Sequence, residues 1–188
     1  MSTTETKVQY NIDGVALVGV RLNKHNEHPE LYTLITYGAD DVLLTSGKQL
    51  LFFTMPEFAG PAFALFPESI QQAFPPPEEV SFIYDLAKAL QIVRHGRLDK
   101  EAIVIDCLNF IFDLVQTIGI AIPDKNKVAL YNLADYLTFD KNIGVFFQNH
   151  THTRSEITNA ILWCVGVITT NSMIFKPESE LTYATLRQ

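Results

Sequence analysis

Residues 101–118 form a long apolar stretch that polar residues interrupt only at helical spacing. After the first turn its charged and amide residues are Asp106, Asn109, Asp113 and Gln116, which are three, four and three residues apart. At roughly 100° per residue, these four side chains lie within about a quarter of a helical wheel, and the remaining surface is apolar. The pattern predicts a central helix that is buried on most sides and turns a narrow polar stripe towards water or a cleft.

Four segments ahead of this helix are rich in β-branched and aromatic residues and are separated by turn-forming residues. They cover residues 15–22, 31–37, 42–45 and 50–55. Short strands that follow one another with tight turns pair as an antiparallel meander. We therefore expect a four-stranded antiparallel meander, followed by a short helix over residues 57–66 that Pro61 interrupts.

Beyond the triple proline at residues 75–77, the apolar residues recur at helical spacing. Four main helices are predicted, over residues 78–94, over 101–118, from 124 onwards and over 157–173. Thr153 and Glu156 match a capping box at the start of the last one. The expected fold class is α+β, with an N-terminal four-stranded antiparallel meander followed by a C-terminal bundle of about four helices around the buried central helix.

The triple proline also marks the clearest boundary within the chain, because consecutive prolines favour an extended connector. It separates residues 1–74, the sheet with its short helix, from residues 78–176, the helical region. A chain of 188 residues is long enough to bury a sizeable core, so we expect both regions to form one compact domain. For residues 143–147 two alternatives stay open, a short buried strand or a loop anchored by its aromatic residues.

The charge distribution restricts the choice of partner. Charged residues make up only 19% of the chain against 47% apolar residues, and the formal net charge is −7. The sequence contains no basic stripe that would release counterions from a phosphate backbone, which argues against nucleic acid as a partner. A sparsely charged surface leaves room for an interface, so we expect a homo-oligomer or a protein partner.

The sequence predicts a cytoplasmic protein that does not enter a membrane. Its apolar runs are too short or carry charges, and the N-terminal residues lack the apolar core of a signal peptide. Cys107 and Cys164 both lie in apolar helical patterns, where a free cysteine behaves as a small hydrophobic residue. A disulfide between their two helices is the less favoured alternative.

His150 and His152 carry the clearest chemical pattern. Only Thr151 separates them, in a stretch without helical spacing, and alternate residues of an extended chain point to the same side. Both imidazoles could then bind one divalent metal ion, with Glu156 as a further ligand. His25 and His28 would complete the site only if folding brought the two segments together. The alternative is ordinary surface histidines, because no HExxH helix or paired CxxC motif accompanies them and the helix cap already uses Glu156.

Other catalytic patterns are weak. Asp106 and Asp113 could act as an acid and a base, but their rise of about 10.5 Å along the helix exceeds the usual spacing in two-carboxylate hydrolases. The glycines form neither of the common nucleotide-binding loop motifs, and no serine or cysteine has the setting of a catalytic nucleophile. An enzyme is therefore the less favoured class.

Two further patterns have a structural and a functional interpretation. Residues 51–66 contain five phenylalanines, which either line a partner-binding groove or join the sheet to the helices, and the second is favoured. The pattern Y-x-L-A-x-x-L begins at Tyr84 and again at Tyr131. It would suit two stacked helical hairpins, although leucine and alanine also recur by chance in amphipathic helices.

The sequence leaves three functional classes open. The first is a non-catalytic module that binds itself or another protein through the aromatic segment or a helical face. The second is a metal-binding protein or metal-dependent hydrolase that uses His150, His152 and Glu156, and a divalent metal is the only cofactor that the residues suggest. The third is a small-ligand protein, which would contain a large apolar cavity with a few polar groups aimed into it.

Overall fold

The fold is mixed α+β and contains two mixed sheets. A computed structural model describes residues 12–39, 41–95, 101–139 and 142–177. Within these residues there are seven strands and seven α-helices. None of the described helices combines the length and the apolar character needed to cross a membrane.

The first sheet has four strands in the spatial order β3-β2-β1-β6. These are β1 (Ile12–Arg21), β2 (Leu31–Gly38), β3 (Val42–Leu43) and β6 (Val80–Asp85). β1 pairs antiparallel with β2, and β2 pairs antiparallel with β3, whereas β6 runs parallel to β1. The sheet is therefore mixed, with β6 at one edge.

The second sheet has three short strands in the order β4-β5-β7. These are β4 (Thr45–Ser46), β5 (Gln49–Phe52) and β7 (Ser172–Ile174). β4 and β5 form a hairpin around Gly47, whose φ of 61° is readily adopted by glycine. β7 pairs parallel with β5, and a single bridge between Tyr32 and Phe53 connects the two sheets.

The predicted four-stranded antiparallel meander is only partly correct. Its first three strands pair as expected, but the strand predicted over residues 50–55 belongs to the second sheet. The predicted strand over residues 42–45 is divided between β3 and β4 at Leu44, whose backbone N–H donates to Leu34 O at 2.9 Å. The free edge of β1 is then taken by β6, which lies about 60 residues further along the chain. The pattern of apolar residues fixes which face of a strand is buried, but it does not fix which strand pairs with which.

The helices connect and cover the sheets. A 3₁₀ turn at Pro56–Phe58 is followed by α1 (Ala59–Phe63), α2 (Glu68–Ala73), α3 (Leu86–His95), α4 (Glu101–Thr117), α5 (Asp124–Phe139), α6 (Ile143–Asn149) and α7 (Arg154–Thr170). The predicted capping box is present, because Thr153 Oγ1 accepts from Glu156 N at 3.1 Å and Glu156 Oε2 accepts from Thr153 N at 2.8 Å. α4 is followed by Gly119, which has a φ of 68°.

Two predicted segments differ from the structure. Residues 143–149 are a helix, neither a strand nor a loop, because Asn142 accepts a hydrogen bond from Val145 N at 3.0 Å and so caps a new first turn. The last helix ends at Thr170, before the predicted residue 173. Residues 172–174 pair with β5 instead, and their Ser172 hydroxyl donates to Ile168 O at the end of α7.

Each face of the first sheet is covered by its own apolar core. Val18, Val20 and Ile35 belong to the core that α3, α4, α5 and α7 share. Leu17 and Leu34, which point to the opposite face, belong to a smaller core with the 3₁₀ turn and α1. α4 contacts three other helices and the sheet, as expected for the predicted central helix.

Both sheets use segments from beyond the triple proline. β6 completes the first sheet and β7 completes the second. The predicted helical repeat does not fit this arrangement, because Tyr84 lies in a strand whereas Tyr131 lies within α5. The shared pattern therefore covers a strand–helix junction in one copy and a continuous helix in the other.

Two glycines give a direct test of the packing around β1. A Cβ added at Gly19 would lie 2.6 Å from Cγ of Pro29, a rigid ring that cannot rotate away. We expect Gly19→Ala to lower the free energy of unfolding by about 1–3 kcal/mol. A Cβ added at Gly166, inside α7, meets nothing within 4 Å, so Gly166→Ala is expected to raise it by about 0.5–1 kcal/mol. Urea denaturation measures the free energy of unfolding of both variants. Changes of the same sign and size in the two would contradict the described packing.

Candidate functional site

The outer edge of the first sheet is formed by β6. Among the described strands only β1 lies beside it, so its other edge has no strand neighbour there. Phe82 and Ile83 are 44% and 47% exposed. Phe82 lies opposite Val18 and Ile83 opposite Gly19. Successive side chains of a strand point to opposite faces, so apolar groups project on both sides of this edge. We call Ser81, Phe82 and Ile83 the edge patch.

The predicted helix over residues 78–94 is wrong in its first part, because residues 80–85 form β6 and the helix begins at Leu86. The apolar residues of α3 recur at helical spacing, and Ile83 happens to continue that spacing upstream. Residues 80–85 nevertheless read VSFIYD, a composition typical of a strand. The signal that separates the two elements is Asp85, a preferred N-cap residue directly before Leu86.

Asp85 ends β6 and starts α3. Its Oδ1 accepts a hydrogen bond from Lys88 N at 2.9 Å, so it caps the helix. Its Oδ2 accepts a hydrogen bond from the guanidinium of Arg21, the last residue of β1. That hydrogen bond raises the pKa of Arg21 above its ordinary value. Arg21 Nε is buried and has no hydrogen-bond partner in the described part of the chain.

Three aromatic rings connect the edge patch to the core. The ring of Tyr84 stacks on Phe110 of α4, with centroids 4.0 Å apart and planes at 10°. Phe82 contacts the same tyrosine, with ring centroids 4.8 Å apart. Burial raises the pKa of Tyr84 to about 12. The backbone of β6 is therefore held against α4, while the outer part of Phe82 stays exposed.

A cleft of about 220 Å³ opens beside the edge patch, between β6 and α4. Its polar side chains are those of Arg21, Tyr84, Asp85, Asp106 and Cys107. Burial raises the pKa of the Asp106 carboxyl above its ordinary value and that of the Cys107 thiol to about 12. A thiol with so high a pKa is protonated at neutral pH and is a poor nucleophile.

The polar stripe of α4 is only partly exposed. Asn109 and Gln116 are exposed as predicted, whereas Asp106 and Asp113 are half-buried. Burial raises the pKa of Asp113 to about 7, and the charge of Asp41 contributes to the increase. No hydrogen-bond donor of the described residues reaches the Asp113 carboxylate. The two carboxylates therefore face partly enclosed surroundings that the helical wheel did not reveal.

The structure places the predicted metal ligands in separate local contacts. The His150 ring stacks on Phe146 with centroids 4.3 Å apart. His152 Nε2 lies 3.3 Å from the amide nitrogen of Asn132. The Glu156 carboxylate accepts from Thr153 N in the capping box. The described residues contain no group of three or more His, Cys, Asp and Glu side chains arranged to hold a metal ion.

His25 and His28 lie in the exposed loop between β1 and β2. Glu30 holds this loop, because its carboxylate accepts hydrogen bonds from Leu22 N at 2.8 Å and Asn23 N at 3.1 Å. His25 itself donates its backbone N–H to Asn23 Oδ1 at 3.0 Å, which tightens the turn. The contacts found here stabilise the loop and include no contact with the second histidine pair.

The aromatic segment is a packing element. All five of its phenylalanines are buried, namely Phe52, Phe53, Phe58, Phe63 and Phe66. Four of them belong to the smaller core on the back of the first sheet, and Phe52 belongs to the larger one. This agrees with the interpretation that the segment joins the sheet to helices. It leaves no aromatic groove in the segment for a partner.

No protein-family model, no curated protein and no solved structure matches the chain.

The half-buried Asp113 carboxyl predicts a pH-dependent stability. Its pKa of about 7 in the folded protein lies above the unfolded value, so the folded state retains the proton and loses stability as the pH rises from about 4 to about 7. We expect Asp113→Asn to be more stable than the wild type by about 1–3 kcal/mol at pH 8, and the difference to vanish near pH 4. Urea denaturation across this range measures it.

The matched control is Asp135→Asn on the exposed side of α5. This variant should follow the wild type at every pH, because the removed carboxylate is already in water. An Asp113→Asn difference that is the same at pH 4 and pH 8 would show that the asparagine acts by packing and not through the proton.

Proposed function

We propose that the protein is a non-catalytic cytoplasmic module that associates with a second copy of itself through the edge patch of β6. The observation that carries the proposal is an open strand edge that presents two large apolar side chains. Backbone N–H and C=O groups along an open edge can pair with another strand, and apolar side chains beside them add buried area. A second identical chain supplies a strand of the same chemistry.

The edge patch carries none of the charges or prolines that commonly protect exposed strand edges. Monomeric proteins place lysine, proline or inward-pointing charges along exposed edges. Here the prolines at residues 75–77 and the glutamates Glu78 and Glu79 all precede the strand, and residues 80–84 carry no charge. A register shift between β1 and β6 falls at Ser81, the first residue of the edge patch, because Leu17 pairs with Val80 and Val18 pairs with Phe82.

A two-fold symmetric pairing suits these residues. In an antiparallel pair of β6 strands centred on Ile83, each isoleucine would lie beside its copy on one face of the extended sheet. Phe82 would project from the other face of the joined edge. Each contact occurs twice in such an isologous interface, so one short strand contributes two sets of apolar contacts.

The chemistry of the nearby groups supports a binding role over a catalytic one. Burial raises the pKa of Cys107 to about 12 and that of Cys164 to about 11, so both thiols are protonated at neutral pH. Arg21 and Asp85 form an ion pair, and Asp85 also caps α3. These two side chains stabilise the junction between β6 and α3. The accessible part of β6 is then the edge patch.

Replacement of an edge residue by lysine tests the proposed dimer. In Ile83→Lys two like charges would meet at the symmetric contact, so we expect the dimer dissociation constant to rise at least about tenfold. Sedimentation velocity over a wide concentration range measures the change. Circular dichroism would verify that the variant keeps its secondary structure.

The control is Val128→Lys, which places the same charge on an apolar residue that is 53% exposed on α5. It should leave the association unchanged. A wild-type protein that stays monomeric at the highest concentration, or a dimer that Val128→Lys weakens as much as Ile83→Lys does, would refute the edge-patch interface.

One observation keeps a metal-binding function as a second candidate. The Glu156 carboxylate has a lowered pKa, chiefly because it accepts the Thr153 backbone N–H, and the charge of His152 adds to the effect. His152 lies four residues before Glu156 in the same short segment, so a rearrangement of this segment could bring both side chains to one ion. His150 would have to leave its stack on Phe146 to join them.

Elemental analysis of the untagged protein tests this second candidate. A metal site predicts about one zinc or other divalent ion per chain, and its loss in His150→Ala/His152→Ala. His25→Ala/His28→Ala is the matched control and should keep the metal. Wild-type protein that holds no metal after dialysis against zinc would exclude the site.

A further inference from the structure

A second cavity, where the two sheets meet the helices, shares no residue with the cleft, although its lining residues Val20, Leu22 and Leu86 are sequence neighbours of Arg21 and Asp85. It has a volume of about 250 Å³, and eleven of its thirteen lining residues are apolar. The floor includes Phe110 and Leu114 of α4, and Phe52 of β5. We call it the apolar pocket. It is the kind of cavity that a small-ligand protein was expected to contain.

The few polar groups of the apolar pocket have no free donor. Thr169 Oγ1 donates to Val165 O at 2.7 Å, and Ser172 Oγ donates to Ile168 O at 2.6 Å. No charged side chain lines the pocket. A ligand that needs hydrogen bonds would lose those made with water and regain little, whereas a hydrocarbon loses nothing.

The size of the pocket limits the length of the hydrocarbon. An apolar cavity of about 150 Å³ can hold a benzene ring, so about 250 Å³ corresponds to roughly ten carbon atoms. The mouth is formed by side chains that are themselves apolar and partly exposed, with Leu22 at 46%, Met173 at 38% and Ile174 at 44%. An extended chain could therefore enter from solvent and remain in apolar surroundings along its length.

The charges next to the mouth favour a negative head group. Lys24 and Lys176 are exposed and lie two residues from the mouth residues Leu22 and Ile174. Neither forms an ion pair with a described carboxylate. Glu30, which directly precedes the lining residue Leu31, is held by the backbone N–H groups at the start of its loop. We propose that the apolar pocket binds a medium-chain fatty acid of about ten carbons, with its carboxylate at the mouth.

Calorimetric titration of the full chain with fatty acids of six to fourteen carbons, below their micelle concentrations, tests the proposal. One site per chain is expected, with affinity increasing roughly three- to fourfold for each methylene group. Beyond about ten carbons the affinity should level off, because the pocket is full. Decyltrimethylammonium, which has the same chain and a positive head group, should bind at least about tenfold more weakly than decanoate.

Two variants locate the binding. Val165→Phe fills the apolar pocket and should abolish decanoate binding, whereas Leu162→Phe, on an exposed position of the same helix, should bind as the wild type does. If Val165→Phe fails to fold, Leu22→Asp at the exposed mouth tests the same site. The introduced negative charge should weaken decanoate binding at least about tenfold. Ile83→Lys should bind normally, which separates this result from the proposed dimer.

Three outcomes would overturn the proposal. The first is no saturable binding of decanoate. The second is an affinity that keeps rising with chain length and is the same in Leu22→Asp, which indicates adsorption to the surface. The third is equal binding of decanoate and decyltrimethylammonium, which would show that the mouth does not prefer a negative head group.

Discussion

Strand β1 has to be covered on both faces and along both edges, and the rest of the fold follows from this requirement. Its residues Leu17, Val18, Gly19 and Val20 are all buried, with no polar side chain among them. A strand of this kind is stable only inside a sheet that is covered by other layers on each side. One neighbour, β2, comes next in sequence, but the second has to be recruited from far along the chain. That second neighbour is β6, and its recruitment leaves the outer edge of β6 as the boundary of the sheet.

The same requirement accounts for the surroundings of the acidic residues on α4. This helix crosses the face of the first sheet and contacts both β3 and β6, the two edges. Asp106 and Asp113, two of the four residues of its polar stripe, therefore lie over the edges of the sheet, whereas Asn109 and Gln116 are exposed. Asp106 lies at the cleft beside β6, and Asp113 lies near the charge of Asp41, which precedes β3. A carboxylate in such a position costs stability when it is ionised, because it is partly removed from water and none of the described residues donates a hydrogen bond to it.

The elements with a strong local signal could be predicted from the sequence, and those that depend on distant segments could not. The start of α7 followed from Thr153 and Glu156, because a capping box is formed by residues three positions apart. The burial of α4 followed from its own periodicity. β6 was missed because the helical spacing of α3 extends upstream to Ile83, while the partner that makes these residues a strand, β1, lies some 60 residues away. Long-range pairing is invisible to a window of neighbouring residues.

The candidate sites show the same division. The histidine pattern could be seen in the sequence because its members are adjacent, and the structure assigns each of them a different local contact. The edge patch could not be seen, since the exposure of Phe82 and Ile83 depends on which side of β6 is paired. The apolar pocket could not be seen either, because its lining residues lie between positions 20 and 174 and meet only after both sheets have formed.

The edge patch and the apolar pocket share no residue, and this matters for how either would act. The edge patch offers backbone groups together with apolar side chains, which is the chemistry that another strand can match. The apolar pocket has satisfied its own hydroxyl groups and exposes almost only hydrocarbon, which is the chemistry of an acyl chain. The two sites also lie on different elements. The edge patch lies on β6, whereas the mouth of the pocket is formed by Leu22 and by Met173 and Ile174 of β7. A ligand in the pocket would thus stabilise the junction of the two sheets by mass action without covering the strand edge. Association and ligand binding can then occur on the same chain without competing for the same surface.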